Sequence, residues 1–362
     1  MTSSTLVQDA VADRLERFFA QRREESDDYG PDAALFLEAA RGTLLGGKRL
    51  RARFCHSGWL SVAREALPEA AETAALWDLC AALEIFQSAA LVHDDLIDNS
   101  DTRRGRPAAH RALEEQHRDL DWAGDAEAFG RASAILLGDL LVAWSDDLME
   151  QAIAEHPHAA AVREEYARMR RVVTTGQFLD IAEESAWRVN DASTHAARAL
   201  RVVSLKSARY SIEQPLVLGA ALAGADAEQI AALRGFGHPI GVAFQLRDDV
   251  LGIFGDESVT GKPAGDDLRE GKRTVLIALA RERLDGPARE ELDAMLGDRS
   301  LTEQQVQRMQ SVIRAADALD RVEEMITEHA RSAEAALVGA RLEAAAVDDL
   351  RDLGLAATVR SS

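Results

Sequence analysis

Aromatic residues make up only 5% of this 362-residue chain, and the β-branched runs that mark buried strands are scarce. Sandwiches, barrels and doubly wound sheets need such runs, so their absence leaves an all-α fold. Cysteine is nearly absent: Cys55 and Cys80 lie in apolar helical surroundings without metal-ligand spacing. That excludes a disulfide framework and a zinc site, and reads as two buried thiols in a reducing cytoplasm. Positive charge is in deficit, 42 Lys and Arg against 62 Asp and Glu for a net charge of −20. Nucleic acid is therefore excluded as the main partner. A diphosphate is not, because a few local Arg and Lys residues and a metal ion set the field where it binds.

Long apolar runs are also missing. The longest, at 216–225, stops at Asp226 after about half a bilayer span. The first 25 residues have neither a basic n-region nor a continuous apolar h-region. Instead Leu6, Val7, Val11, Leu15, Phe18 and Phe19 recur at helical spacing. The expectation is a cytoplasmic protein with no transmembrane segment: an amphipathic helix and linker over 1–30, then a single catalytic domain over 31–362. No period of 20 to 50 residues recurs, which excludes a solenoid.

What is present is Ala, Leu, Arg and Glu in helical patterns. Helices are expected over 70–98, 132–149, 159–186, 193–210, 214–223, 227–249, 272–284 and 302–337. The polar stretch 114–127 reads as a surface loop, and 252–271, rich in Gly, Asp and Lys, as a long functional loop.

Chemistry concentrates in three places. In LVHDDLIDNSDTRRGRP, Asp94 and Asp98 stand four apart and Asp95 and Asp98 three apart, which puts carboxylates on one helix face. Like charges so placed repel, whereas hard oxygen ligands on one face suit Mg2+ shared with substrate phosphates. Arg103, Arg104 and Arg106 follow at once, so acids for a metal and guanidiniums for a diphosphate are adjacent. The second cluster, Asp248 and Asp249 followed by Lys262, Asp266, Lys272 and Arg273, repeats that order. The third, GGKRLR, sets Lys48, Arg49 and Arg51 behind a glycine pair, where backbone amides and cations can meet an anion.

Together these segments resemble the trans-isoprenyl diphosphate synthases, or polyprenyl synthetases, from about Gly46 to Arg273. GGKRLR, DDLID with RRGRP, the pair Lys206 and Ser207, and FQLRDD with GKPAGDDLREGKRT occur in the family's order. The resemblance implies a single large helical bundle around a central active-site cavity, three Mg2+ ions and a homodimer. It implies condensation of isopentenyl diphosphate with an allylic diphosphate. Asp94 and Asp98 would ligate two ions and Asp248 a third, with Asp95 and Asp249 supporting. Arg103, Lys206 and Lys262 fall to the allylic diphosphate, Lys48, Arg51, Arg104 and Gln87 to that of isopentenyl diphosphate, and Lys272 to substrate binding. Gln245 and Ser207 match positions near the developing allylic cation. One departure stands out: the second acidic motif is often DDxxD in the family, and its last position here is Gly252.

Product length should follow from the helix below the first aspartate, where small Ala89 and Ala90 leave a channel open and Phe86, about 12 Å down, closes it. That favours geranylgeranyl diphosphate, with farnesyl and longer products as alternatives. A class I terpene cyclase would need NDxxSxxxE, and NDASTHAAR carries Arg198 where the glutamate belongs. A non-catalytic subunit would tend to lose acidic-motif residues, and the first motif is complete. His93 reads as a packed residue beside the motif, and His110, His117 and His238 as structural or surface residues.

Overall fold

In the computed structural model, which describes residues 3–62, 70–255 and 265–359, helix follows helix. The only extended segments among those residues are strands β1 (Thr102–Arg103) and β2 (Arg106–Pro107). Packing sorts the chain into two units, Met1–Trp59 with Ala63–Ala160 and Leu60–Val62 with Ala161–Ser362. No division falls at residue 30. Helix α1 (Ser3–Glu25) buries Val7, Val11, Leu15, Phe18 and Phe19 in the first unit, and Phe18 and Phe19 stand edge-on to Trp144.

The first unit continues through α2 (Pro31–Leu44), α3 (Leu50–Leu60), α4 (Ala70–Ile97), α5 (Ala109–Asp119) and α6 (Ala126–Ile153). Its core is α4, whose Leu76, Leu79, Leu83 and Ile85 are fully buried, packed along α6. Close approach depends on Gly138 of α6, since an added Cβ would overlap the His93 ring of α4. His93 Nε2 lies 3.3 Å from the Ile135 carbonyl oxygen, so the ring is used in packing. Residues 73–97 are also long and apolar enough to cross a membrane, contrary to the expectation that no stretch is; 72% of an apolar 18-residue window within them is buried, as in a core helix. A scan for unbroken runs overlooks it because Asp78 and Glu84 interrupt it.

Polar 114–127 is not a loop. Helix α5 runs to Asp119 with Glu114 and His117 buried, Glu114 held by Arg118 and, at 2.9 Å, by Arg111. A paired charge can be buried at a cost that a lone one cannot meet. The connection shrinks to 120–125, and Asp125 caps α6 by accepting from the N–H groups of Glu127 and Ala128.

The second unit holds α7 (Ala159–Ala186), α8 (His195–Val202), a π-helix (Val203–Glu213), α9 (Gln214–Leu222) and α10 (Ala227–Phe254). After residues 256–264 come α11 (Asp266–Glu270), α12 (Val275–Arg283), α13 (Gly286–Met295), α14 (Glu303–Ala315), α15 (Ala318–Leu337) and α16 (Ala344–Thr358). Central α10 packs against the π-helix, α15 and α16. Three expectations change here. The helix expected over 193–210 becomes α8 and the π-helix. The single helix over 302–337 breaks at Asp317, which has φ 51°. The loop over 252–271 is helical at both ends, as α10 and α11.

His56 on α3 is buried and stacked on Trp77, ring centroids 5.3 Å apart, and burial pushes its pKa down to about 4. An unfolded histidine titrates near 6.5, so between these values the unfolded chain binds the extra proton and stability falls as pH falls. The expected loss from pH 7 to pH 5 is about 2 kcal/mol. Urea melts at the two pH values should show that loss in the unaltered chain and a flatter response in His56→Gln.

Candidate active site

The first acidic motif is divided by the helix that carries it. The Asp98 N–H donates to the Asp94 carbonyl at 2.8 Å, so the α-helical turn continues through Asp98 and sets Asp94 and Asp98 one above the other. Both are half-buried, whereas Asp95 is 2% exposed and faces Arg103, whose Nε donates to its Oδ1 at 2.8 Å. Arg103 also reaches within 3.7 Å of Asp94 Oδ2. The pair that presents itself is thus Asp94 and Asp98, while Asp95 anchors the arginine.

Arg103 is held by a feature the sequence reading missed. Strands β1 and β2 pair Thr102 with Pro107 and Arg103 with Arg106, and the turn residues Arg104 and Gly105 have φ 53° and 71°. Two successive positive φ values are what a type I′ hairpin requires. For arginine that backbone is costly, and what it achieves is placement. The Arg104 guanidinium lies against Gly47, where an added Cβ would come within 2.9 to 3.1 Å of it.

The hairpin therefore delivers Arg104 to the GGKRLR loop. Burial lowers the Arg104 pKa and Glu84 opposes that shift, while Arg49, Arg103 and Arg51 lower it further. Four guanidiniums within one another's field favour an anion. Their roles differ. Arg49 is buried, donating to the Leu44 carbonyl at 2.6 Å and lying 3.6 Å from Glu84 Oε2; Glu84 Oε1 accepts the Ala52 N–H at 3.1 Å. Buried Glu84 and Arg49 thus shape the loop that presents Lys48 and Arg51. Gln87 is half-buried two turns before Asp94 on the same side of α4. Ala90 and Phe86 follow that stripe, Ala90 half-buried and Phe86 buried; Ala89, 1% exposed, lies off it.

In the second unit Asp248 is exposed near the end of α10, and adjacent Asp249 is buried. Burial raises the Asp249 carboxyl to about 8, with Asp267 and Asp248 adding to the shift; Gln245 Nε2, donating to Asp249 Oδ1 at 2.8 Å, opposes it. That bond uses the amide nitrogen of Gln245. Lys272 lies 2.8 Å from Glu270 and 3.6 Å from Asp267. Lys262 lies outside the described residues.

Lys206 and Ser207 ride on the π-helix, a wide turn of the kind found at functional sites. Glycines on both neighbouring helices admit it. A Cβ at Gly176 of α7 would overlap the Lys206 amide and lie 2.6 Å from the Leu205 carbonyl carbon; one at Gly241 of α10 would lie 2.6 Å from the Ala208 Cα. Lys206 Nζ meets Asp180 Oδ2 at 2.5 Å. Asp180 was not singled out in the sequence; the available signal was its place one turn after Gly176 on the same helix face. The segment 190–198 is a capped turn that leads into α8, with its side chains already engaged: Asn190 donates to the Ala186 carbonyl, Asp191 caps at Ser193, and Arg198 pairs with Glu183.

Among the described residues no three His, Cys, Asp or Glu side chains converge to cage a metal. Exposed or half-buried carboxylates in ones and twos are the donor set that suits Mg2+, which takes its remaining ligands from water and substrate phosphates. On that chemistry the residues present fit the ion.

Comparison with known proteins shows the family and the fold. The family model described as polyprenyl synthetase matches residues 34–313. A short chain isoprenyl diphosphate synthase of Methanocaldococcus jannaschii is 30% identical over 62% of this chain and 62% of its own length. A geranylfarnesyl diphosphate synthase of Aeropyrum pernix is 32% identical over 77% of this chain and 79% of its own. The crystal structure of geranylgeranyl pyrophosphate synthase from Corynebacterium glutamicum, complexed with isoprenyl diphosphate and magnesium, superposes with a TM-score of 0.92 at 36% identity, covering 100% of both chains.

Proposed function

Because this chain belongs to the polyprenyl synthetase family, we propose that it condenses isopentenyl diphosphate head-to-tail with an allylic diphosphate, releasing inorganic diphosphate. The observation that carries this reading is the cluster of Arg49, Arg51, Arg103 and Arg104 beside the half-buried Asp94 and Asp98. Cations for one anion and carboxylates for a metal-bound anion stand side by side, as a reaction between two diphosphates needs.

Asp94 and Asp98, with Asp248, would hold Mg2+, which supplies charge neutralisation for the departing diphosphate. Arg103, fixed by Asp95, and Lys206, fixed by Asp180, bind that same diphosphate and orient it. Lys48, Arg51, Arg104 and Gln87 hold the second diphosphate. The Gln245 oxygen and the Ser207 hydroxyl face the carbon that gains positive charge, and the released diphosphate takes the final proton. Three ions per site, a homodimer and a cytoplasmic setting complete the reading.

Release of diphosphate should require both substrates and Mg2+; release from the allylic substrate alone would mark a cyclase instead. For product length we propose geranylgeranyl diphosphate, with Phe86 as the floor below Ala90. Phe86→Ala should lengthen the product by one or more five-carbon units, and Ala90→Phe should shorten it, as read by chromatography of the dephosphorylated alcohols. An unchanged product from both variants removes this stripe of α4 from chain-length control.

A further inference from the structure

Trp187, which follows the last residue of α7, gathers three guanidiniums in a chain whose net charge is −20. Those of Arg273, Arg281 and Arg188 lie 3.8, 4.5 and 5.3 Å from the centroid of its ring. Arg281 belongs to α12, Arg273 follows Lys272 in the segment before α12, and Arg188 is the next residue in the chain. The indole attracts these cations but does not neutralise them. One carboxylate does so in part. Asp293 of α13 accepts from Arg281 Nε and Nη2 at 2.6 and 2.9 Å and lies 3.7 Å from Arg273 Nη1. Arg188 is exposed and has no ion pair among the described residues.

Two buried donors of the cluster have no acceptor among the described residues, Arg273 Nη1 and His195 Nε2. The state of the histidine follows from its other nitrogen. Arg281 Nη1 donates to His195 Nδ1 at 2.8 Å, so the ring proton sits on Nε2 and that atom is a donor. His195 is buried, and its ring centroid lies 6.5 Å from that of Trp187. Burial pushes the Arg273 pKa down to about 10 against the pull of Asp293, with Arg281 and Arg188 adding to the shift. Positive charge in excess and N–H groups without acceptors both call for an anion with several oxygens.

We propose that this cluster is a binding site for a phosphate-class anion, held by Arg188, Arg273 and His195 beside Trp187. A free carboxylate would bring one charge and two oxygens, whereas a phosphate brings a second charge and more acceptors, and can bond several guanidiniums at once. None of these residues is assigned to either substrate diphosphate. Bound there, the anion would tie the end of α7 to the segment that carries Lys272.

The test is a titration of the full-length protein with inorganic phosphate, and separately with inorganic diphosphate, at constant ionic strength and without Mg2+. Tryptophan fluorescence follows it, and the difference between the unaltered chain and Trp187→Phe isolates the signal of Trp187. At least one anion should give a saturable change in that signal, and the tighter of the two identifies the ligand as a monophosphate or a diphosphate. Arg188→Gln should weaken binding by about tenfold or more, because it removes a charge-assisted contact at an exposed position. Lys206→Met, which removes a cation assigned to the allylic diphosphate, should leave the affinity unchanged. No saturable change with either anion overturns the proposal, and so does an affinity unchanged in Arg188→Gln. A weakened affinity in Lys206→Met places the anion among the substrate residues and overturns it too. Should Trp187→Phe not fold, as judged by circular dichroism, calorimetric titration of Arg188→Gln against the unaltered chain decides by the same tenfold criterion. The titration uses neither Mg2+ nor a prenyl substrate, so its failure leaves the functional reading in place.

Discussion

Asp98→Asn is expected to lower turnover by about a thousandfold while leaving the metal-free protein at least as stable as before. Both halves follow from one observation: Asp94 and Asp98 stand on successive turns of α4, half-buried, with like charges facing the same way. Without a cation that pair is mildly unfavourable, by a few tenths of a kcal/mol, so removing one charge relieves the helix. With a cation and a leaving diphosphate the same charge stabilises the transition state. Asp95→Asn should behave differently, since it breaks the Arg103 bond to a 2% exposed carboxylate and should cost about 1–3 kcal/mol of stability. Steady-state rates and melts of the metal-free variants separate the two positions. Turnover of Asp98→Asn within threefold of the unaltered chain would remove Asp98 from the metal site.

The second large effect concerns a residue with no functional group. In a helix interior Gly→Ala normally gains up to about 1 kcal/mol. At Gly176 the sign should reverse, because the new Cβ overlaps the Lys206 amide, and overpacking of that kind costs about 1–3 kcal/mol. The damage lands on the turn that carries Lys206 and Ser207, so turnover should fall by about a hundredfold for a displacement near 1 Å. Gly42→Ala is the matched control: Gly42 lies on α2 with no atom within 4 Å of an added Cβ, so that variant should be neutral or stabilising. A stable and active Gly176→Ala would mean that the π-helix can shift without cost.

These expectations mark the limit of what could be read in the sequence. The acidic and basic motifs were legible because their chemistry needs charges a few residues apart on one helix or one loop, and spacing alone shows that. The helical fold was legible from composition and periodicity, and α7 occupies the span that its periodicity indicates. Features that depend on residues distant in the chain were not. Nothing local shows that Asp94 and Asp98 present themselves while Asp95 turns to Arg103, or that Asp248 is exposed and Asp249 buried. The pairing of Lys206 with Asp180 joins two helices, and the width of the π-turn is set by Gly176 and Gly241, which belong to other elements. Arg104 with positive φ contradicts the usual preference for Asn or Gly at such a turn, so the hairpin was hidden by the residue that makes it useful. Gly252 was visible as a missing ligand, but nothing local shows that the space beside it is taken by Asp267 of α11.

The reading as a prenyl-chain synthase rests on two diphosphates being bound and one released. Incubation with Mg2+, isopentenyl diphosphate and, in turn, dimethylallyl, geranyl and farnesyl diphosphate, followed by sizing of the product, tests it most directly. The account predicts a single major twenty-carbon product that needs Mg2+ and both substrates. Absence of any elongated product with every primer, from a folded protein in saturating Mg2+, would contradict it.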